Sequence, residues 1–308
     1  MDKQRTYHKE ELLIKTSNWQ TRLERRLRIP VGLIGYGSIS LNQHVPAILR
    51  DVPELELVAV AESDPNQRRT LERIYGGVRT YTNEVAMLDA ERLVGVLIAT
   101  ETDSLPHLCS YAIKRGHHVF VEKPVARRAE NIESLMRDVQ GTGLICQVGF
   151  NRRFSYGYRI ANELVRQGQL GEIHALNLRF WFAPPANLGD ILEDLLLNVG
   201  IHAYDLAQYF MGTAIYSGVR ARVTIGSQNG TLQALVPMKS GGSSTITLSS
   251  AGSWNYPSEY LEVIGDKSSV IVENSRRGKW LTPPDTVKCF EPSYSNHWVS
   301  CSTLLIAF

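Results

Sequence analysis

The chain has 308 residues, 43% hydrophobic and 21% charged, which is more than one domain usually holds and too apolar for a disordered or collagen-like class. Thirty-three basic against 31 acidic residues leave a formal charge of +2, too weak a field to point to nucleic acid. No apolar run approaches the roughly 18 residues that span a bilayer, so small molecules are the expected partners, with no nucleic acid and no membrane.

Residues 1–28 are polar and mixed in charge, without the apolar stretch of a secretory signal, and read as an N-terminal polar extension. Its cluster Arg22, Arg25, Arg26 and Arg28 reads as a solvated tail or helix face, with a nucleic-acid arm as the other reading. Cys109, Cys146, Cys289 and Cys301 show no paired spacing, so neither a metal site nor a redox dithiol is expected, and a reducing cytoplasm is the simplest location.

From Ile29 onward short apolar runs alternate with amphipathic segments, the pattern of buried parallel strands covered by helices. Strands are expected over Pro30–Gly35, Leu57–Glu62, Val94–Thr100, His118–Glu122 and Leu144–Val148. Helices are expected over Pro65–Ile74, Ser104–Arg115 and Ala129–Val139. This is an α/β reading: an N-terminal Rossmann domain, a doubly wound parallel sheet over residues 29–150.

Gly35-Tyr36-Gly37-Ser38-Ile39-Ser40 follows the first strand and opens a helix, the setting in which G-x-G-x-x-G/A binds a pyrophosphate. Gly35 permits the tight turn, Gly37 lets the backbone approach the phosphates, and Ser40 replaces the third glycine with another small residue. Glu62, 27 residues after Gly35, ends the second strand where a carboxylate can accept hydrogen bonds from the ribose hydroxyls. An acid there favours NAD; Arg68 and Arg69 keep NADP open as the alternative. Lys123 and Pro124 stand at the carboxyl end of the fifth strand, where ligands bind in open α/β sheets and an ammonium can stabilise an alkoxide. Glu122 is placed to help orient it.

After residue 150 the pattern changes. A helix over Tyr158–Arg166 and a strand over Ile173–Phe182 lead to strands over Val219–Ile225, Gly230–Pro237, Ser244–Ser249 and Leu261–Ile264. Residues 151–308 thus read as a C-terminal α+β domain with a largely antiparallel open sheet. One long helix, about Ile191–Phe210, carries Asp194, Asn198, His202, Asp205 and Tyr209 within a narrow polar stripe at about 100° per residue. The rest of its girth is apolar, so the stripe is expected to face an internal cleft.

Glu122-Lys123-Pro124 resembles the signature of the Gfo/Idh/MocA oxidoreductases, and so do VGLIGYGSIS, AVAESDP, VGFNRRF over Val148–Phe154 and LLLNVGIHAYDLAQYFMG over Leu195–Gly212. The resemblance spans about residues 29–225. It implies hydride transfer between a nicotinamide cofactor and a secondary alcohol of a sugar, nucleotide sugar or cyclic polyol. His202 would then be the acid/base, with Asn198 in the place of the family's aspartate, orienting the histidine or a substrate hydroxyl. Asp205 would support it, and Asn151 would lie near the nicotinamide. Arg152 and Arg153 are candidates to anchor a substrate phosphate or carboxylate, with helix-end solvation the other reading.

Two departures stand out. Thr100, the expected cofactor neighbour, is followed by Glu101 where the family has proline, and Leu105 occupies the place of a histidine, with His107 two positions late. The family also includes glycosidases that use NAD transiently and non-catalytic dinucleotide-binding regulators, which are the alternative functions. Relatives generally run beyond the position of Phe308, so the apolar end Cys301–Phe308 reads either as burying against a neighbour or as a shortened C-terminus; a homo-oligomer through the C-terminal sheet is expected by analogy.

Overall fold

The computed structural model describes residues 28–183, 191–253, 258–282 and 286–291. Arg22, Arg25 and Arg26 of the extension, and the apolar end with Cys301, lie outside the described residues. The chain separates between Val148 and Gly149 into two compact units.

The first unit is built on six parallel strands: β1 (Ile29–Ile34), β2 (Leu55–Ala61), β3 (Arg79–Tyr81), β4 (Gly95–Ile98), β5 (His118–Val121) and β6 (Cys146–Val148). Their order is β3-β2-β1-β4-β5-β6, the doubly wound Rossmann arrangement. Alternate side chains fill two cores. Val31, Leu33, Val60 and Leu97 enter one, while Ile34, Val96, Ile98, Val119 and Val121 enter the other. Burial on both faces is why these strands read as unbroken apolar runs. Ile34 pairs with both Ala61 and Ile98, Ile98 with Val121, and Val121 with Val148, so the strands end level and the loops after them share one edge. The order reverses between β1 and β4, and the edge outside that reversal is where such sheets take ligands.

The Pro65–Ile74 helix begins as its sequence dictates, with Asp64 accepting the Asn66 N–H at 2.8 Å and Pro65 in the first turn. The helix after the glycine loop is not a plain α-helix. It includes π-helical stretches at Ser40–His44 and Ala47–Asp51. Two elements were not anticipated: β3, only three residues long, and the Glu84–Ala90 helix, capped by Asn83 accepting the Ala86 N–H at 2.9 Å.

The second unit holds β7 (Ile173–Trp181), β8 (Arg220–Ile225), β9 (Gly230–Pro237), β10 (Ser243–Ser249), β11 (Ser258–Gly265), β12 (Ser269–Glu273), β13 (Arg277–Thr282) and β14 (Thr286–Phe290). The order is β14-β13-β12-β11-β7-β10-β9-β8. Every pairing is antiparallel except β7 with β10. Leu176, Leu178 and Phe180 turn inward to a core shared with Tyr158, Ala161, Leu206 and Phe210 from two helices, Tyr156–Arg166 and Ile201–Met211. Arg179 and Trp181, at alternate positions on β7, turn to the other face.

The expected helix over about Ile191–Phe210 is present as one continuous helical run over 191–211, with a π-helical middle. It is an α-helical turn at Ile191–Glu193, a π-helical stretch at Asp194–Gly200 and an α-helix at Ile201–Met211. Turns in the middle segment are wider than the 100° per residue on which the stripe was drawn. Gly200 lies in close packing there: a Cβ on it would stand 2.8 Å from Leu248 Cδ1 and 2.6 Å from the Leu195 carbonyl oxygen.

Candidate functional site

In the first unit the glycine loop is closed by an acid. Glu62 Oε2 accepts the Tyr36 N–H at 2.7 Å and Oε1 accepts the Asp64 N–H at 2.8 Å, so the carboxylate is fixed against the loop it was expected to serve. Gly35 has φ +89°, and a Cβ on it would lie 2.5 Å from the Ala99 carbonyl oxygen, so no side chain fits where β1 turns past the end of β4. Gly37 has no neighbour within 4 Å of where its Cβ would stand, leaving open space above the helix start. Ser40 is buried and its hydroxyl donates to the Gly35 carbonyl at 2.8 Å, so the residue that replaces the third glycine ties the loop to the helix.

Beside Gly35, Thr100 offers a buried hydroxyl with no partner among the described residues. A cradle without side chains, backbone N–H groups at a helix start, an uncommitted hydroxyl and a fixed carboxylate suit a dinucleotide's pyrophosphate and ribose. Tyr36 contributes backbone only. Its ring is buried, and burial, with Tyr75 adding to it, pushes its phenol up to about 12. Ser38 and Ile39 are exposed at the helix start. Arg68, the residue that kept NADP open, donates to the carbonyls of Glu62 and Ser63, the latter at 2.8 Å. Arg69 is bonded to Asn66.

At the end of β5, Glu122 Oε2 accepts the Lys123 N–H at 3.1 Å, and the Lys123–Pro124 peptide is cis. Glu122 Oε1 lies 3.0 Å from His44 Nε2, a buried imidazole on the helix after the glycine loop that sequence reasoning missed. His44 also meets Phe120 edge to face at 5.5 Å. A histidine nine positions after Gly35 carries no sequence signal of a partner 78 residues away. Leu105, in the histidine's place, is buried in the core, and His107 is exposed beside Tyr111.

In the second unit His202 is 5% exposed and meets the Phe150 ring edge to face at 6.4 Å, a second neighbour not anticipated. Asp205 is also buried, whereas Asn198 on the π-helical stretch is exposed. Asn151, Arg152 and Arg153 form a single 3₁₀ turn with Phe154. Asn151 is exposed, and the two arginines are engaged by protein carboxylates.

Arg153 Nε donates to both oxygens of Asp205, at 3.0 and 2.8 Å, and Nη2 donates to Oδ1 at 2.5 Å. Arg152 Nε donates to Glu259 Oε1 at 2.9 Å, and the buried Tyr158 hydroxyl donates to the other oxygen at 3.2 Å. The turn is thereby tied to the His202 helix on one side and to β11 on the other. Burial holds the Asp205 carboxyl above its ordinary value, with the Arg153 bonds opposing that rise only in part.

Residues 29–150 match the oxidoreductase family with an NAD-binding Rossmann fold, and residues 158–271 match the GFO/IDH/MocA C-terminal domain. A myo-inositol 2-dehydrogenase of Thermotoga maritima is 25% identical over 255 residues, covering 80% of this chain and 75% of that one. An inositol 2-dehydrogenase of Rhizobium meliloti is 28% identical over 260 residues, 81% and 77% of the two chains. Among solved structures, a dehydrogenase from Chromobacterium violaceum aligns with TM-score 0.80 at 22% identity, covering 90% of this chain and 84% of its own. A levoglucosan dehydrogenase in complex with NADH and levoglucosan aligns with TM-score 0.79 at 17% identity, covering 91% and 88%.

Proposed function

The chain belongs to the Gfo/Idh/MocA oxidoreductase family, and from that premise we propose that it catalyses reversible, NAD-dependent oxidation of a secondary alcohol on a cyclic polyol, sugar or nucleotide sugar. The observation that carries this reading is the glycine loop closed by Glu62 at the point where the strand order reverses. Curated relatives named inositol 2-dehydrogenase support the polyol class.

Bound nicotinamide supplies the carbon that accepts the hydride. The chain's residues do the rest. Glu62 would accept from the ribose hydroxyls, Gly35, Gly37 and Ser38 would hold the pyrophosphate at the helix start, and Thr100 and Asn151 are the further residues that would hold the cofactor. His202 takes the hydroxyl proton as the alcohol is oxidised, and Lys123 stabilises the alkoxide by its charge. Asn198 orients the substrate hydroxyl or His202. Asp205, read as support for His202, and Arg153, read as a candidate substrate anchor, act through each other by holding the turn that follows Phe150 against the His202 helix.

NAD is favoured over NADP because Glu62 would repel a 2′-phosphate and Arg68 is already committed to backbone carbonyls. No helix among the described residues is long and apolar enough to cross a membrane. Free thiols at Cys109, Cys146 and Cys289 support a reducing, cytoplasmic setting. A second copy of the chain is proposed to cover the outward face of the second sheet, where Trp181, Leu235 and Val287 are 43%, 43% and 54% exposed.

The test is NADH formation, followed by absorbance, over a panel of myo-inositol, scyllo-inositol, levoglucosan and UDP-sugars with NAD. Reduction of NAD by at least one member is expected. NAD binding with no reduction across the panel would leave a dinucleotide-binding regulator, and sugar release without net NADH would reveal a glycosidase.

A further inference from the structure

His44 has no part in the function proposed above, yet it is 4% exposed, lies on the helix that opens at the glycine loop, and faces the carboxylate next to Lys123. Its Nδ1 finds no hydrogen-bond partner among the described residues, and Nε2 stands 3.0 Å from Glu122 Oε1, a contact of proximity more than of aligned hydrogen bonding. Phe120, on β5 two positions before Glu122, holds the imidazole edge to face at 5.5 Å. The other oxygen of Glu122 accepts the Lys123 backbone N–H at 3.1 Å. A continuous series of contacts therefore runs from the helix of the dinucleotide loop, through a buried imidazole and a carboxylate, to the backbone of the residue assigned to the alkoxide.

We propose that His44 is a positioning residue for Lys123: by holding Glu122 it fixes the main chain from which the Lys123 ammonium is presented. Among the described residues each oxygen of the Glu122 carboxylate has a neighbour, His44 Nε2 on one and the Lys123 N–H on the other, and the side chain is 17% exposed. Without the imidazole, one oxygen loses its buried neighbour, and the carboxylate is free to rotate toward water and release the Lys123 N–H. Turnover is sensitive to such a change because a misplacement on the order of 1 Å costs about a hundredfold in rate. His44 itself touches neither alcohol nor hydride in this account. It ties the cofactor loop to the lysine, so that the two parts of the site in this unit are set by one contact.

The proposal rests on the assignment of Lys123, and the experiment separates the two. The full chain is reductively methylated with ¹³C-formaldehyde, and the Lys123 resonance is identified by its absence from Lys123→Arg. His44→Ala is expected to shift that resonance, and His44→Gln, which returns a polar neighbour to the Glu122 carboxylate, to return it toward the wild-type position. Glu122→Gln, at a half-buried site, serves where His44→Ala does not fold, and it is expected to shift the resonance in the same sense.

In turnover, His44→Ala is expected to lower kcat at least tenfold in the wild-type background and to add no further loss to Lys123→Ala. An unmoved Lys123 resonance in both His44→Ala and Glu122→Gln overturns the proposal, as does the same fold-loss in both backgrounds. If Lys123→Ala retains full turnover, the assignment of Lys123 fails, while the resonance still decides what His44 does.

Discussion

Glu62 shows how a residue read from spacing acquires a physical role. Its position after β2 was legible, because an acid at that point in a strand-loop-helix-strand series has one common use. Its attachment to the Tyr36 N–H was not legible, since that contact depends on how tightly the loop turns over Gly35. Glu62→Ala removes both an anchor of the loop and the proposed acceptor for the ribose. It is expected to weaken NAD binding about tenfold, the equivalent of one charged hydrogen bond, and to narrow the preference over NADP, both read by fluorescence titration.

Arg153 was read as a candidate substrate anchor or a solvated helix end, and Asp205 as support for His202, because nothing in a sequence shows that two residues 52 apart satisfy each other. Burial raises the Asp205 carboxyl, so the folded chain holds that proton more tightly than the unfolded one. Stability from this group is therefore full below the ordinary carboxylate pKa and is lost as pH rises through the raised value. Asp205→Asn is expected to gain thermal stability relative to wild type between pH 4 and pH 7. Arg153→Met leaves the buried carboxylate alone and is expected to cost about 2 kcal/mol, below the usual range because the guanidinium is 38% exposed. A wild-type advantage over Asp205→Asn that grew with pH would contradict this sign.

Elements were legible where local rules agree with the fold. The Pro65–Ile74 and Ala129–Val139 helices fall where periodicity places them, and Asp64 with Pro65 marks the start of the first. The π-helical stretches were not, because an extra residue per turn is set by packing such as that at Gly200, and propensity is blind to it. β12, β13 and β14 were missed because they mix charge and short length at one side of the sheet, with β14 almost wholly exposed.

β3 was missed for a similar reason, and an ion pair helps hold it: Arg79 and the Tyr81 hydroxyl both donate to Glu91, which follows the Glu84–Ala90 helix. The Arg79 bonds, aided by the Tyr81 hydroxyl, hold the Glu91 carboxyl below its ordinary value. That stability is present above the ordinary carboxylate pKa and is lost as pH falls through the lowered one. Glu91→Gln is expected to cost about 1 kcal/mol at pH 7, modest because Arg79 is 58% exposed, and less near pH 3 in urea unfolding. An equal cost at both pH values would contradict the attribution to charge.

At the scale of the molecule, the parallel and antiparallel halves were legible because the apolar pattern itself differs: continuous runs where both faces are buried, alternation where one is open. The open face of the second sheet has consequences for assembly. Trp181→Asp together with Leu235→Asp is expected to give a monomer in analytical ultracentrifugation where the wild type sediments as an oligomer. A wild-type monomer, or an unchanged oligomer in the variant, would remove that face from the account.

In the proposed reaction Lys123 and His202 serve one alcohol, which kcat for NADH formation decides in wild type, Lys123→Ala, His202→Ala and the double variant, with the best substrate from the panel. Each single change is expected to lower kcat at least a hundredfold, and the double variant to lose far less than the product of the two, as groups acting in one transition state do. Wild-type turnover in either single variant, or losses that multiply in the double, would contradict it.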